Sequence, residues 1–313
     1  MGQSWNTYKY RLKKNLHNGY LDILVIFLLL LPMLFITGLT LNQLSTQLLI
    51  RKIEQQGINY DAFREMKISE ETIDLAQSRL GNLLQRYPAL ERAEGVNPMH
   101  YLTFSMLARA FDLNEYSLID EVVFVKCLPQ ISKSQGYRRL CGYYKAVLND
   151  IEYFPVPKIE GDLEDISYMD TWSDLRNYGG KRKHEGTDIM AKNNKRGYYP
   201  IISITEGVIE KMGWLEQGGY RIGVRSPSGG YFYYAHLATY AEDLRIGDSV
   251  LAGQLLGFMG DSGYGKEGTI GQFDVHLHLG IYIQTNAGEL SVNPYNVLKM
   301  LEKHRPTYFR LYE

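Results

Sequence analysis

Beyond about residue 165 the chain breaks into short β-rich runs separated by glycine, and this pattern limits the fold more than any other feature. The runs are Tyr199 to Thr205, Val208 to Trp214, Arg221 to Ser226, Tyr231 to His236, Ser249 to Met259 and Val275 to Ile283. Short strands at such spacing predict an all-β sandwich or barrel-like domain. Gly218-Gly219, Ser228-Gly-Gly230 and Gly260-Asp-Ser-Gly263 read as ordinary turns between them. Val292-Asn-Pro-Tyr-Asn-Val297 leads into a closing helix through Glu302. Tyr264 to Gly268 is read as a substrate-facing loop.

Upstream the periodicity is helical. Ser69 before Glu70-Glu71 is an N-cap signal with acids in the first turn, where they suit the helix dipole. Ile73, Ala76, Leu80, Leu83 and Leu84 follow at helical spacing, and Tyr87-Pro88 gives a stop. Met99 to Phe111 reads as a second, amphipathic helix, its Phe104, Met106 and Leu107 serving the core. Phe154-Pro-Val-Pro157 disfavours helix, so residues 151–167 read as an extended linker. Cys127 and Cys141 lie in the helical segment, where a disulfide and two buried thiols both remain open. No paired-carboxylate motif among acids such as Glu65, Glu71 and Glu121 supports glycan cleavage.

At the N-terminus, Ile23 to Thr40 carries no charge, close to the roughly 20 residues that cross a bilayer core. Pro32 is tolerable in such a helix. Lys9, Arg11, Lys13 and Lys14 precede the run, and only Arg51 and Lys52 follow it closely. The positive-inside rule then predicts a cytoplasmic N-terminus and an extracytoplasmic remainder, in a single-pass membrane protein. A cleaved signal peptide is the alternative, with no A-x-A stretch to support it. The expected organisation is a basic N-terminus over 1–20, an anchor over 21–41, a helical region over 42–150, the linker, a β domain over 168–304 and a tail over 305–313. With a net charge of -1 over 313 residues, nothing points to a nucleic-acid partner.

Four of the seven histidines fall in three short C-terminal stretches: His184-Glu-Gly-Thr-Asp188, Tyr234-Ala-His236-Leu237 and His276-Leu-His278. Imidazole and carboxylate are the usual nitrogen and oxygen ligands of zinc, and a catalytic site keeps three protein ligands and one open position. His184, Asp188 and His278 would supply that set. Side chains two apart on a strand share a face, so His276 and His278 can look into one cleft. A helical His184-Glu185-x-x-Asp188 element is a competing geometry. Gly186 and Thr187 lower helix propensity there, so the element reads as loop or strand, with Glu185 a bystander. Each stretch alone also has an ordinary reading as a solvated loop, a surface strand or a core histidine.

Taken together, the stretches resemble the M23 peptidases of the lysostaphin and LytM type, zinc endopeptidases that cut peptide bonds of bacterial peptidoglycan. The likeness runs from about Tyr168 to Leu301. Weaker family-like features are Gly179-Gly-Lys-Arg182, Gly186, Ile189 and Asn293-Pro-Tyr295. The resemblance implies a mostly antiparallel β domain with a groove, one zinc held by His184, Asp188 and His278, and catalytic roles for His236 and His276. Zinc would activate a water and polarise the scissile carbonyl, with the two histidines moving protons or stabilising charge. Tyr231 and Tyr233 would line the groove, or lie in the core on the face opposite His236, depending on one residue of register. The alternative function is a non-cutting module that binds wall peptides, or a protein partner, in wall remodelling or sporulation.

Overall fold

A computed structural model describes residues 24–309, apart from 39, 41–42, 45–46, 52, 55–57, 92–94, 162–164 and 179. Residues Met1–Gln55 and Gln56–Glu313 form two compact units. In the first, residues 24–38 are helical and their side chains are exposed. Among the described residues no helix is long and apolar enough to cross a membrane. The expected anchor over 21–41, and with it the single-pass membrane location, is corrected accordingly. The basic residues Lys9 to Lys14, Gly179 and the last four residues of the tail lie outside the described residues.

The second unit begins with five helices: α1 (Tyr60–Arg64), α2 (Glu70–Arg86), α3 (Pro98–Ala108), α4 (Glu121–Ile131) and α5 (Gln135–Leu148). The Ser69 hydroxyl accepts from the Thr72 amide and starts α2, as the sequence predicts. Helix α3 differs from its expected amphipathic form. Residues Tyr101 to Leu107 are all buried, because α2, α4 and α5 enclose it.

The expected linker is extended and packed. Phe154 and Val156 are fully buried, and the stretch holds β1 (Lys158–Ile159) and β2 (Ile166–Ser167). Then follow β3 (Leu175–Arg176), β4 (Arg182–Lys183), β5 (Thr187–Ala191), β6 (Pro200–Ile202), β7 (Gly207–Leu215), β8 (Gly219–Arg225) and β9 (Tyr231–Tyr240). The chain continues through β10 (Ser249–Val250), β11 (Leu255–Met259), β12 (His276–Thr285), β13 (Gly288–Val292), the closing helix α6 (Tyr295–Leu301) and β14 (Thr307–Tyr308). The run expected over Ser249 to Met259 divides into β10 and β11, because a turn closed by the Gln254 amide on the Leu251 carbonyl interrupts it.

The main sheet has the order β10-β7-β8-β9-β12-β5-β2, with β13 also on β12 and β11 bridging β9 to β6. Its pairings are antiparallel. Along β12 the side chains alternate: Leu277, Leu279, Ile281 and Ile283 enter the core, while His276, His278 and Tyr282 line a groove. Helix α5 runs behind the sheet, and Asp150 just beyond its end accepts from the Ser228 amide (2.7 Å) and hydroxyl (2.9 Å) in the β8–β9 turn.

Candidate active site

Strand register brings the predicted ligands together. His278 on β12 lies directly opposite Asp188 on β5, so both side chains rise from one face. His184 stands in the extended loop between β4 and β5, and the segment is not helical. His184 Nε2, Asp188 Oδ1 and His278 Nδ1 are mutually 3.0–3.1 Å apart. Bonds of 2.0–2.1 Å in a tetrahedral zinc site would put such atoms about 3.3 Å apart. Donor chemistry and spacing therefore fit a zinc ion, and the three residues form a group that could hold a metal.

Gly186 permits this closeness. A Cβ there would collide with the His278 ring and the Leu279 carbonyl. Burial pushes the Asp188 carboxyl up, but hydrogen bonds from His184 and His278 prevail and hold it well below the usual carboxylate range. Burial lowers the His278 imidazole, opposed by Asp188.

Two further histidines face the same groove. His276 Nδ1 lies 2.7 Å from the Asp274 carbonyl, and His236 Nδ1 lies 2.7 Å from the Ser262 carbonyl. A carbonyl can only accept, so in each neutral ring Nδ1 carries the proton and Nε2 keeps a lone pair. His276 Nε2 is 3.8 Å from Asp188 Oδ1, and the rings of His236 and His276 are 4.7 Å apart. Burial lowers the His236 pKa well below its ordinary value, and the neighbouring His276 and His278 add to this.

His236 has φ +62° and sits at a register shift of β9 against β8. This bulge reverses strand parity. Without it His236 would share the buried face of Phe232 and Tyr234; with it His236 joins Tyr231 and Tyr233 in lining the groove. The register question over the two tyrosines is thus settled on the groove side. Gly219, at φ +61°, packs on the Ser262 backbone, where a Cβ would collide. The turn at Gly260 to Gly263 therefore does more than reverse the chain, because it presents the Ser262 carbonyl to His236.

Several site residues carried no sequence signal. Arg176 on β3 donates to Asp188 Oδ2 at 2.6 Å, and Thr171 lies 3.0 Å from His184 Nδ1 through its hydroxyl. Tyr178 stacks on Tyr264 with centroids 4.0 Å apart and planes within 3°. Tyr264 lines the groove, in agreement with the expected substrate-facing loop. Glu185 is exposed and paired with Arg64 of α1 at 2.9 Å. The groove encloses about 740 Å³.

Residues 182–294 match the model of Peptidase family M23, an interval that contains all five of these histidine and aspartate positions. A Ruminococcus gnavus structure assigned as a glycyl-glycine endopeptidase lytM is 42% identical. The match covers 83% of this chain and 98% of that one, with a TM-score of 0.66. The chain belongs to peptidase family M23. The L-Ala–D-Glu endopeptidase of Bacillus subtilis is 44% identical over 48% of this M23 chain and 44% of its own length. Lysostaphin of Staphylococcus simulans is 30% identical over 32% of this chain and 19% of its own. This M23 chain thus spans less than half the length of those two relatives.

Proposed function

We propose that the protein is a zinc-dependent endopeptidase that hydrolyses a peptide bond of bacterial peptidoglycan, with residues 168–304 as the peptidase domain. The observation that carries this is the triangle of donor atoms, His184 Nε2, Asp188 Oδ1 and His278 Nδ1, set beside two histidines whose Nε2 atoms keep lone pairs. Zinc at the triangle supplies Lewis acidity, which can bring the pKa of water near 7 and polarise a carbonyl.

The residues of the chain do the rest. His276 and His236, fixed by the Asp274 and Ser262 carbonyls, accept the proton of the attacking water and return it to the leaving amine. Burial, which keeps His236 unprotonated, suits it to the accepting role. Arg176, bonded to Asp188 Oδ2, fixes the carboxylate so that Oδ1 faces the two ligand imidazoles. Similarity to the Bacillus subtilis enzyme makes the L-Ala–D-Glu bond the first substrate to try.

The test is metal content and peptide release from purified peptidoglycan, measured together on the full chain with and without a chelator. About one zinc per chain with chelator-sensitive release supports the peptidase. Zinc without release from wall or from L-Ala–D-Glu peptides would favour a non-cutting wall-binding module.

A further inference from the structure

The groove carries more positive charge than the metal site uses. Arg176, Arg182, Lys183, Lys211 and Arg221 line it, against Glu185, Asp188 and Glu289. Arg176 is engaged by Asp188, and Glu185 by Arg64. That leaves Arg182, Lys183, Lys211 and Arg221 facing the exposed Glu289.

Two of these cations carry buried N–H groups that no described residue accepts. Among the described residues, Arg221 Nε and Nη1 and Arg182 Nε are buried without a hydrogen-bond partner. Buried guanidinium N–H groups normally have partners, because leaving them bare forfeits their hydration. Arg221 is fixed by β8, where it faces Gly213 of β7. Lys211 on β7 holds its ammonium 5.7 Å from the Tyr231 ring centroid. Arg221, Arg182 and Tyr233 line the same groove. Tyr233 in turn meets the His278 ring edge-on, with centroids 6.1 Å apart. Both arginines thus share one groove with His278, a proposed metal ligand.

We infer that Arg221 and Arg182 form a carboxylate-binding subsite, which selects peptides carrying a free carboxyl on a residue next to the scissile bond. Guanidinium suits this task, since its planar fork binds a carboxylate bidentately and stays charged. A bridge of glycine alone offers no such group, so the subsite separates acidic peptides from neutral ones within the same peptidase architecture. This specificity rests on the peptidase reading for the position of the scissile bond, but the carboxylate preference itself does not need turnover.

The probes are L-Ala–D-Glu–L-Lys, with the glutamyl carboxyl outside the main chain left free, and the same peptide with that carboxyl as a primary amide. Binding to the metal-free full chain is followed by calorimetry, and hydrolysis by the zinc-loaded chain is followed separately. The acid peptide is expected to bind about 10- to 100-fold more tightly than the amide, the range of a charge-assisted pair. In R221Q and R182Q that preference should collapse toward one, while R221K should keep part of it. Equal binding of both peptides by the wild type, or a preference intact in the R221Q/R182Q double variant, overturns the subsite. Preferential binding without hydrolysis keeps the subsite and counts against the peptidase, whereas hydrolysis of both peptides without preference does the reverse.

Discussion

His236 and Tyr233 stand three residues apart on one strand and still line the same groove, because the β9 bulge at His236 reverses the alternation between them. The left-handed backbone of His236, the hydrogen bond its backbone N–H donates to the Gly218 carbonyl (2.8 Å) and its Nδ1 contact with the Ser262 carbonyl fix the ring against His276. The proposed peptidase reading gives this positioned ring the part of a proton carrier.

Separate substitutions should therefore divide the histidines. H236A and H276A are expected to keep about one zinc per chain and to lose roughly 10²- to 10⁴-fold in kcat. H278A and H184A should lose the metal itself, measured by atomic emission after dialysis. Full zinc occupancy in H278A would refute the ligand assignment.

How much of this was legible in the sequence depended on local regularity. His276 and His278 follow strand alternation, so their shared face could be read directly, and Ser69 announced α2 through its cap. His236 obeys no simple period, and only the family resemblance placed it. Helix α3 looked two-faced but is enclosed on every side, which neighbours decide and periodicity does not. Arg176 and Arg221 gave no signal, because a lone arginine in a strand is ordinarily solvated. Strand β5 was legible only as a loop-or-strand reading of the ligand motif, since Thr-Asp-Ile-Met-Ala alternates too briefly to announce a strand. The uncharged run from Ile23 to Thr40 met the compositional rule for a membrane span, but among the described residues no helix is long and apolar enough to cross a membrane.

Gly186→Ala should damage the site without touching a ligand. The new methyl meets the His278 ring and the Leu279 carbonyl, so β5 or the imidazole must shift. Overpacking of this kind costs about 1–3 kcal/mol. Weaker zinc binding together with a lower denaturation midpoint is the expected result, and unchanged values of both would show that the loop relaxes freely.

Cys127 and Cys141 are free and buried, and burial pushes the Cys141 thiol up to about 12. The thiolate is the reactive form, so the native protein at pH 8 should react slowly with a disulfide reagent, and both thiols should react on unfolding. Rapid labelling of two thiols in the native state would contradict this burial.

Arg305 ties the extended stretch before the sheet to the end of the chain. Its guanidinium, 8% exposed, donates to Asp165 at 2.6 and 2.9 Å and to the Val156 carbonyl at 2.7 Å. Burial raises the Asp165 carboxyl, but hydrogen bonds and charge from Arg305 outweigh it and leave the pKa below the ordinary 3.8. A carboxyl with a lowered folded pKa contributes stability above its unfolded pKa and loses it as pH falls through the folded value. D165N should therefore be destabilised by about 1 kcal/mol at neutral pH, a modest figure because half of the carboxylate is in water. The difference from wild type should stay level from pH 7 to 5 and shrink below about pH 4, when both chains present an uncharged partner to Arg305. Denaturation midpoints across that range measure it, and a gap that widened in acid would mean that the pair opposes folding.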